Sequence, residues 1–198
     1  MKKLVLVTAI TAAFLIPGLA SAESNLVTTG NATARLDFRI VIPAVLSLRV
    51  GSPGSANANI DLVSFSPAAA IVGDSTPVGG DLGSGVVTVR VIANNGAVNL
   101  ISTTSGPLTT GVVGETIPWS EIGVTATGGA PTHPTFAAAG ASATVAISAT
   151  NRVVNVGGTW TYRYLNTTTP AAGTYGATTA GGAASVNNGR VIYTASQV

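Results

Sequence analysis

The most regular pattern of apolar and polar positions in this chain lies in residues 34–50, where every even-numbered position is apolar. The odd-numbered positions include the charged side chains of Arg35, Asp37 and Arg39. A period of two is typical of a β-strand with one buried face. These residues would extend over roughly 55 Å, longer than a normal strand, and Pro43 cannot donate to a central ladder. The pattern therefore predicts two consecutive strands, or one strand that changes sheet at Pro43.

Shorter strand-like segments follow, and stretches rich in Gly, Pro, Ser and Thr separate them. The clearest segment is 86–93, in which one face carries Val87, Val89, Val91 and Ala93. The turn signal Asn94-Asn95-Gly96 predicts a hairpin between this segment and residues 97–103. The other predicted strands are 59–65, 117–127, 143–149, 159–165 and 190–195. Many short strands with such loops predict an all-β fold, an immunoglobulin-like antiparallel β-sandwich.

Residues 1–22 carry a different pattern, in which a charged start is followed by an apolar run and then by small residues. Lys2 and Lys3 precede an apolar run that reaches Ile16, and Ala20 and Ala22 occupy the positions that a signal peptidase reads. The run is too short to span a membrane comfortably. We therefore expect a signal helix that is cleaved off, and an exported protein in the periplasm, at the cell surface or outside the cell.

The mature chain, residues 23–198, is long enough to form a single β-sandwich domain with a core of its own. Within it, residues 23–42 are either an N-terminal extension that serves as a donor strand, or a first strand packed in its own domain. The leader is the only long apolar run in the sequence. We therefore expect no membrane insertion after the leader is removed.

Removal of the leader also changes the charge. The whole chain has nine Lys and Arg against seven Asp and Glu, a formal net charge of +2. Both lysines lie in the leader, so the mature chain keeps seven arginines against seven acids and is neutral. A neutral chain offers no basic field to nucleic acid or to anionic lipid, and we expect neither as a partner.

The residue types on which most enzymes depend are scarce. The chain has no cysteine and its mature part has no lysine, which excludes thiol catalysis, thiolate metal sites and lysine nucleophiles. The single histidine, His133, has no nucleophile motif beside it, and we expect a surface loop residue. The best carboxylate pair, Glu115 and Glu121, would lie roughly 20 Å apart in an extended chain, beyond the spacing that glycosidases use. We therefore predict no enzymatic activity, no cofactor and no metal.

Three aromatic residues share one face of the predicted strand 159–165, namely Trp160, Tyr162 and Tyr164. Such a face either packs in the core of a sandwich or stacks against a sugar, and core packing is the more usual role. The next residues, Asn166-Thr167-Thr168, match the N-glycosylation acceptor, and in a chain that resembles a bacterial export product we expect this match to be chance.

Two short segments resemble bacterial pilin-type domains of the spore-coat-U-like and chaperone–usher kinds. Residues 33–48 resemble the first strands of those domains. The sequence Pro170-Ala171-Ala172-Gly173-Thr174-Tyr175 resembles the PAGTY motif that precedes their last strand. The chain departs from the family at Leu46, which stands about where the first cysteine of the family's disulfide falls. It also departs at residues 176–189, which separate the motif from the predicted last strand.

The resemblance implies an immunoglobulin-like sandwich that polymerises by donor-strand complementation, in which each subunit lends an alternating strand to a groove of its neighbour. The apolar face able to do so here consists of Leu36, Phe38, Ile40 and Ile42. The same face also suits a first strand packed within its own domain. We expect an exported structural or fimbria-like surface subunit, with itself or other exported surface proteins as partners. The alternative is a surface or periplasmic module that binds carbohydrate or cell wall.

Overall fold

The computed structural model describes residues 24–54, 60–181 and 186–198. The prediction of an all-β fold with antiparallel sheets is confirmed. The strands are β1 (Leu46–Val50), β2 (Val78–Gly79), β3 (Val86–Ala93), β4 (Val98–Thr104), β5 (Leu108–Thr109), β6 (Thr116–Ile117), β7 (Ile122–Thr127), β8 (Gly140–Ala141), β9 (Val145–Ile147), β10 (Val154–Tyr164) and β11 (Ile192–Gln197). Short 3₁₀ turns lie at Ala69–Ile71, Trp119–Glu121 and Val186–Asn188.

The strands form two main sheets and one small one. The first sheet has the order β1-β3-β10-β2, and β7 also pairs with β10. The second sheet has the order β11-β4-β8, and β9 also pairs with β4. The short strands β5 and β6 form a two-stranded sheet of their own. Pro43–Val198, which contains all of these strands, is one compact unit, and Met1–Ile42 belongs to a separate unit.

The core lies between the inner faces of the two main sheets. Because side chains alternate along a strand, β3 buries every second residue, and those four are Val87, Val89, Val91 and Ala93. They belong to the same buried cluster as Val98 and Leu100 of β4 and Trp160 of β10. The period-two pattern of residues 86–93 therefore predicted both the strand and its buried face.

The predicted hairpin between β3 and β4 is wrong. The two strands belong to different sheets, and the turn at residues 94–97 carries the chain from one sheet to the other. The reason is that both edges of β3 are already used, one by β1 and the other by β10. Asn94 instead fixes the start of β1, since its side chain donates to Pro43 O at 2.8 Å and accepts from Val45 N at 2.7 Å.

Two other strand predictions are also wrong in part. Of residues 34–50, only Leu46–Val50 form a strand, and Pro43 lies shortly before it. Residues 34–42 are not part of any β-ladder. Residues 60–65 form no strand either. Side-chain carboxylates form hydrogen bonds with the backbone in this region. Asp81 accepts from Ser64 N at 2.9 Å, and Asp61 accepts from Ser52 N at 2.7 Å.

The predicted leader, with Ala20 and Ala22, lies outside the described residues. Among the residues that are described, no helix is long and apolar enough to cross a membrane.

Candidate functional site

An open groove of about 1230 Å³ runs through the Pro43–Val198 unit between its two sheets. One wall consists of β1 with residues 51–54 and 60–67, and the other consists of residues 170–175 and 189–193 at the start of β11. Buried side chains of the core, among them Val87 and Tyr162, form its base. We call this cleft the β1–β11 groove.

Both strands that flank the groove have a free edge. Among the described strands, β1 pairs only with β3, and β11 pairs only with β4. The two strands lie beside each other but belong to different sheets, so neither closes the edge of the other. An edge strand presents a row of backbone N–H and C=O groups that can pair with a further chain. The groove therefore combines an apolar base with backbone groups at its rim.

The three aromatic residues of β10 lie in the core. Trp160 is completely buried, Tyr162 is 8% exposed and Tyr164 is 5% exposed. Trp160 Nε1 donates to Pro131 O at 2.8 Å, so its one polar atom has a partner. Tyr162 and Tyr164 are also among the residues that line the groove.

The expectation that His133 is a surface loop residue is wrong. Its ring packs edge-on against Trp160 and Phe136, with centroid distances of 4.6 Å and 4.7 Å. Its Nε2 lies 2.7 Å from Tyr193 Oη, which lies 2.9 Å from Tyr162 Oη. A chain of three polar groups thus leads from the groove into the core.

Glycine in β10 brings the His133 loop close to the sheet. A Cβ at Gly158 would lie 2.3 Å from Thr127 O and 2.6 Å from Ala130 N, so only glycine allows the turn at 127–130 to pack against β10. Pro131 and Pro134 on either side of the histidine are both buried. The loop is therefore held inward, although its composition is that of a surface turn.

Burial decides the charge of this polar chain. It lowers the pKa of His133 to about 4, against a smaller opposite effect of a hydrogen bond with the backbone of Pro134. Burial also raises the pKa of Tyr162 to about 12, partly opposed by its hydrogen bond to Tyr193. The imidazole is neutral at pH 7 as a result, and its Nε2 shares one hydrogen bond with the hydroxyl group of Tyr193.

The buried imidazole makes the fold sensitive to acid. The unfolded chain takes up a proton at His133 near pH 6.5, while the folded chain resists protonation until about pH 4. Stability should therefore fall as the pH is lowered through this window, by about 2 kcal/mol after allowance for partial exposure of the ring. Urea unfolding at pH 7, 5.5 and 4 measures the loss. The H133Q variant cannot titrate there, and an equal loss in H133Q would show that other groups cause it.

The two acids that the sequence singled out are held by structural hydrogen bonds. Glu121 is 6% exposed, and its carboxylate accepts from Thr167 N at 2.9 Å and from Thr167 Oγ1. The carboxylate of Glu115 accepts from Thr110 Oγ1 at 2.6 Å. In the described parts of the chain, no group of three His, Cys, Asp or Glu residues is placed to hold a metal ion.

Asn166 is a structural residue that the sequence reasoning missed. It is fully buried, its Oδ1 accepts from Gly73 N at 2.9 Å, and its Nδ2 donates to Ile71 O at 2.6 Å. Its φ of 58° lies in the left-handed region, which asparagine tolerates better than most residues. The side-chain amide of Asn166, which matches the glycosylation acceptor, thus forms hydrogen bonds that stabilise the loop containing Ile71 and Gly73.

The candidate strand-donation face lies outside every strand. Leu36 is 56% exposed, Phe38 86%, Ile40 85% and Ile42 75%. Exposure of four large apolar side chains in one short segment is unusual for a soluble protein and typical of an interaction site. These residues belong to the unit that ends at Ile42, whereas the groove lies wholly in Pro43–Val198.

Comparison with known proteins finds no family model that matches the chain, and no curated protein or solved structure that is similar to it.

Proposed function

We propose that this chain is an exported structural subunit of a fimbria-like surface assembly, and that its subunits join by β-strand donation. Residues 34–42 of one copy occupy the β1–β11 groove of the next. The observation that carries the proposal is that one chain has both parts, an exposed alternating segment without a ladder and a groove with unpaired strand edges.

The size of the groove favours a polypeptide as the occupant. Its volume of about 1230 Å³ exceeds the roughly 300–1,000 Å³ of pockets that hold small molecules. It is also open along two edge strands, and a further strand can pair with either of them. An elongated occupant with backbone groups to offer uses both properties, whereas a compact ligand uses neither.

The alternating segment has the side chains that such a groove accepts. Burying Leu36, Phe38, Ile40 and Ile42 would contribute roughly 6 to 12 kcal/mol, at about 1.5–3 kcal/mol for each side chain. Main-chain hydrogen bonds to an edge strand add to this, and both together offset the cost of association. The segment is part of the chain itself, so every copy brings one donor and one groove. Such a pairing is heterologous, and it gives an open linear assembly when the rotation between subunits does not close a ring.

The donor face is tested by placing charge on it. The mature chain should form a ladder of oligomers, while the F38D/I40D variant should remain a monomer, because two carboxylates cannot enter an apolar groove. The matched control is D37S/R39S, which changes two charges on the opposite face of the same segment and should still assemble. Size-exclusion chromatography with light scattering gives the masses.

Deletion of residues 23–42 separates donation from ordinary packing. The truncated chain should be a soluble monomer that unfolds at the same temperature as the F38D/I40D variant. Loss of the fold on truncation would place the segment in the core of its own domain and contradict the proposal. Equal oligomer ladders for F38D/I40D and the unaltered chain would also contradict it.

A second candidate function, binding of carbohydrate or cell wall, is favoured by the aromatic residues at the groove. Tyr162, Tyr164 and Tyr175 all line it, and aromatic rings are suited to stack on sugars. Tyr175 lies in a loop, and its hydroxyl group donates to Ala171 O at 2.9 Å. Binding on a glycan array that is abolished in Y175A, with the fold intact, would favour this function over strand donation.

A further inference from the structure

The outward face of the edge strand β1 carries a positive charge beside a second one. Arg49 of β1 is the direct antiparallel partner of Arg90 of β3, and both side chains are exposed. Arg90 donates to the neutral side chain of Asn155 at 3.3 Å, and in the described parts of the chain neither arginine forms an ion pair. Like charges directly opposite each other destabilise a sheet. The free edge of β1 therefore presents positive charge that an acidic side chain on a neighbouring strand would neutralise.

The hydrogen bonds along β1 show which of its residues face a new neighbour. Gly51 N donates to Thr88 O at 2.7 Å, and hydrogen-bonded pairs recur at every second residue of an antiparallel ladder. Arg49 therefore turns its own backbone groups toward β3, and the alternate residues Leu46, Leu48 and Val50 present theirs at the free edge. The residue opposite Arg49 in a further antiparallel strand takes a non-hydrogen-bonded position, where Cα atoms are about 4.5 Å apart and side chains come closest.

We propose that Asp37 of the donor segment, residues 34–42, lies opposite Arg49 of the acceptor, and that this ion pair sets the register of strand donation at β1. The inference rests on the proposed function, in which the donor segment of a second copy occupies the β1–β11 groove. In an antiparallel pairing of this register, apolar side chains lie opposite apolar ones, with Leu36 opposite Val50, Phe38 opposite Leu48 and Ile40 opposite Leu46. Every strand pair in the described sheets is likewise antiparallel.

The order of charges along the donor segment distinguishes one register from the next. Arg35 and Arg39 lie two residues to either side of Asp37. A slip of two residues in either direction keeps the apolar face inward but places an arginine opposite Arg49 and near Arg90. Repulsion then replaces attraction. Because the charged side chain changes sign at each such step, the charges select a register that the apolar pattern alone leaves open.

The other free edge of the groove offers no such selection. The exposed side chains of β11 are those of Ile192, Thr194 and Ser196, none of which is charged. A donor segment at β11 would leave Asp37 without a cross-strand partner of opposite charge on that strand. The charge of the donor segment therefore favours β1 as the strand to which it pairs.

The ion pair acts on register more than on affinity, because exposed ion pairs are weak and salt screens them. Burial of the apolar face carries the association, so the D37S/R39S variant should still assemble. Its subunits should do so with a less defined register, since the charges that distinguish one register from another are gone.

The test uses the full mature chain with F38D/I40D as the acceptor, so that its own segment does not compete, and a labelled peptide of residues 31–44 as the donor. Fluorescence polarisation at low salt measures the affinity. We expect the D37R peptide to bind roughly fivefold more weakly than the unaltered peptide, because attraction at Arg49 becomes repulsion. On an acceptor that also carries R49D, the order of the two peptides should reverse.

The matched control for the acceptor is R163D, which changes an exposed arginine of β10 that does not line the groove. It removes the same charge as R49D but should keep the unaltered peptide ahead of D37R. Without peptide, R49D should unfold at the same or a higher temperature than its parent, because it ends the like-charge pairing with Arg90.

A disulfide reports the register directly, because the chain has no cysteine of its own. In the proposed register, position 39 of the peptide lies opposite Ser47, and position 41 lies there only after a slip of two residues. A V41C peptide should therefore cross-link slowly to an S47C acceptor. The peptide D37R/R39D/V41C has the same net charge but its acid two residues later, so it should cross-link roughly fivefold faster.

The outcomes separate the two proposals. Equal affinity of the unaltered and D37R peptides for the acceptor with Arg49 overturns the role of the ion pair and leaves strand donation standing. A loss for D37R that persists on R49D, or a lower unfolding temperature of peptide-free R49D, also overturns that role. If the unaltered peptide fails to bind while Arg49 is intact, both the proposed function and the role of the ion pair are wrong.

Discussion

Replacing Trp160 with alanine should destabilise the protein by about 4 kcal/mol, within the range measured for removal of a large buried aromatic side chain. Trp160 is completely buried in the cluster that joins the two sheets. Its indole also contacts the rings of His133 and Tyr193, with centroid distances of 4.6 Å and 5.2 Å. Alanine would leave a cavity at this junction and an unpaired carbonyl at Pro131.

Urea unfolding at pH 7 measures the effect, and W160F is the matched control. Phenylalanine keeps an aromatic ring in the core but cannot donate to Pro131 O, so W160F should lose roughly 1–2 kcal/mol. Because domains of this size are stable by about 5–15 kcal/mol, W160A should keep about 1–11 kcal/mol of stability and unfold at a clearly lower urea concentration than the unaltered protein. A W160A midpoint equal to that of the unaltered protein would mean that the indole does not support the core.

The elements that the sequence predicted well are those that depend on local pattern. In β3 and β10, the alternation of apolar and polar residues alone identifies the strand and its buried face. The reason is that a β-strand is the regular structure whose side chains repeat with a period of two. Val89, Val91 and Trp160 all lie in the core as this reasoning requires. The all-β class follows from many such segments, together with the scarcity of good helix-forming residues.

Which strands pair with each other was harder to predict, because pairing depends on distant residues. The turn at 94–97 has the composition of a hairpin, but β10, more than sixty residues later in the sequence, takes the edge of β3 that β4 would need. Likewise, the strongest alternating pattern in the chain, residues 34–42, finds no ladder in the described structure. A pattern shows that a segment is suited to a sheet but does not identify the sheet.

The polar sites of the core were missed for the same reason. His133 meets Tyr193 across 60 residues of sequence, and Asn166 meets Ile71 across 95. Each lies beside proline, glycine or threonine, a composition that is typical of surface loops. The only local signal at Asn166 is the tolerance of asparagine for the left-handed region, a property that also suits exposed turns.

Replacing Asn166 with alanine should destabilise the protein by about 3 kcal/mol. The change leaves two partly buried backbone groups, Gly73 N–H and Ile71 C=O, without their partner, and each unmade bond costs about 1 kcal/mol, the lower end of the range for buried groups. It also forces alanine into a φ of 58°, which adds about 1 kcal/mol. The backbone of residue 166 accepts from Ser75 N at 2.9 Å, so this loop can loosen along with the side chain.

Two companion variants divide this loss into its parts. N166G removes the same side chain but adopts a positive φ freely, so it should be more stable than N166A by about 1 kcal/mol. N155A changes an exposed asparagine of β10 and should lie within about 0.5 kcal/mol of the unaltered protein. Hydrogen exchange should rise at Gly73 in N166A, because its amide loses its acceptor. The prediction is contradicted if N166A is as stable as N155A and its Gly73 amide stays protected from exchange. The loop at residues 71–76 would then be held by its own backbone hydrogen bonds, from Ile71 N to Ala68 O and from Asp74 N to Ile71 O.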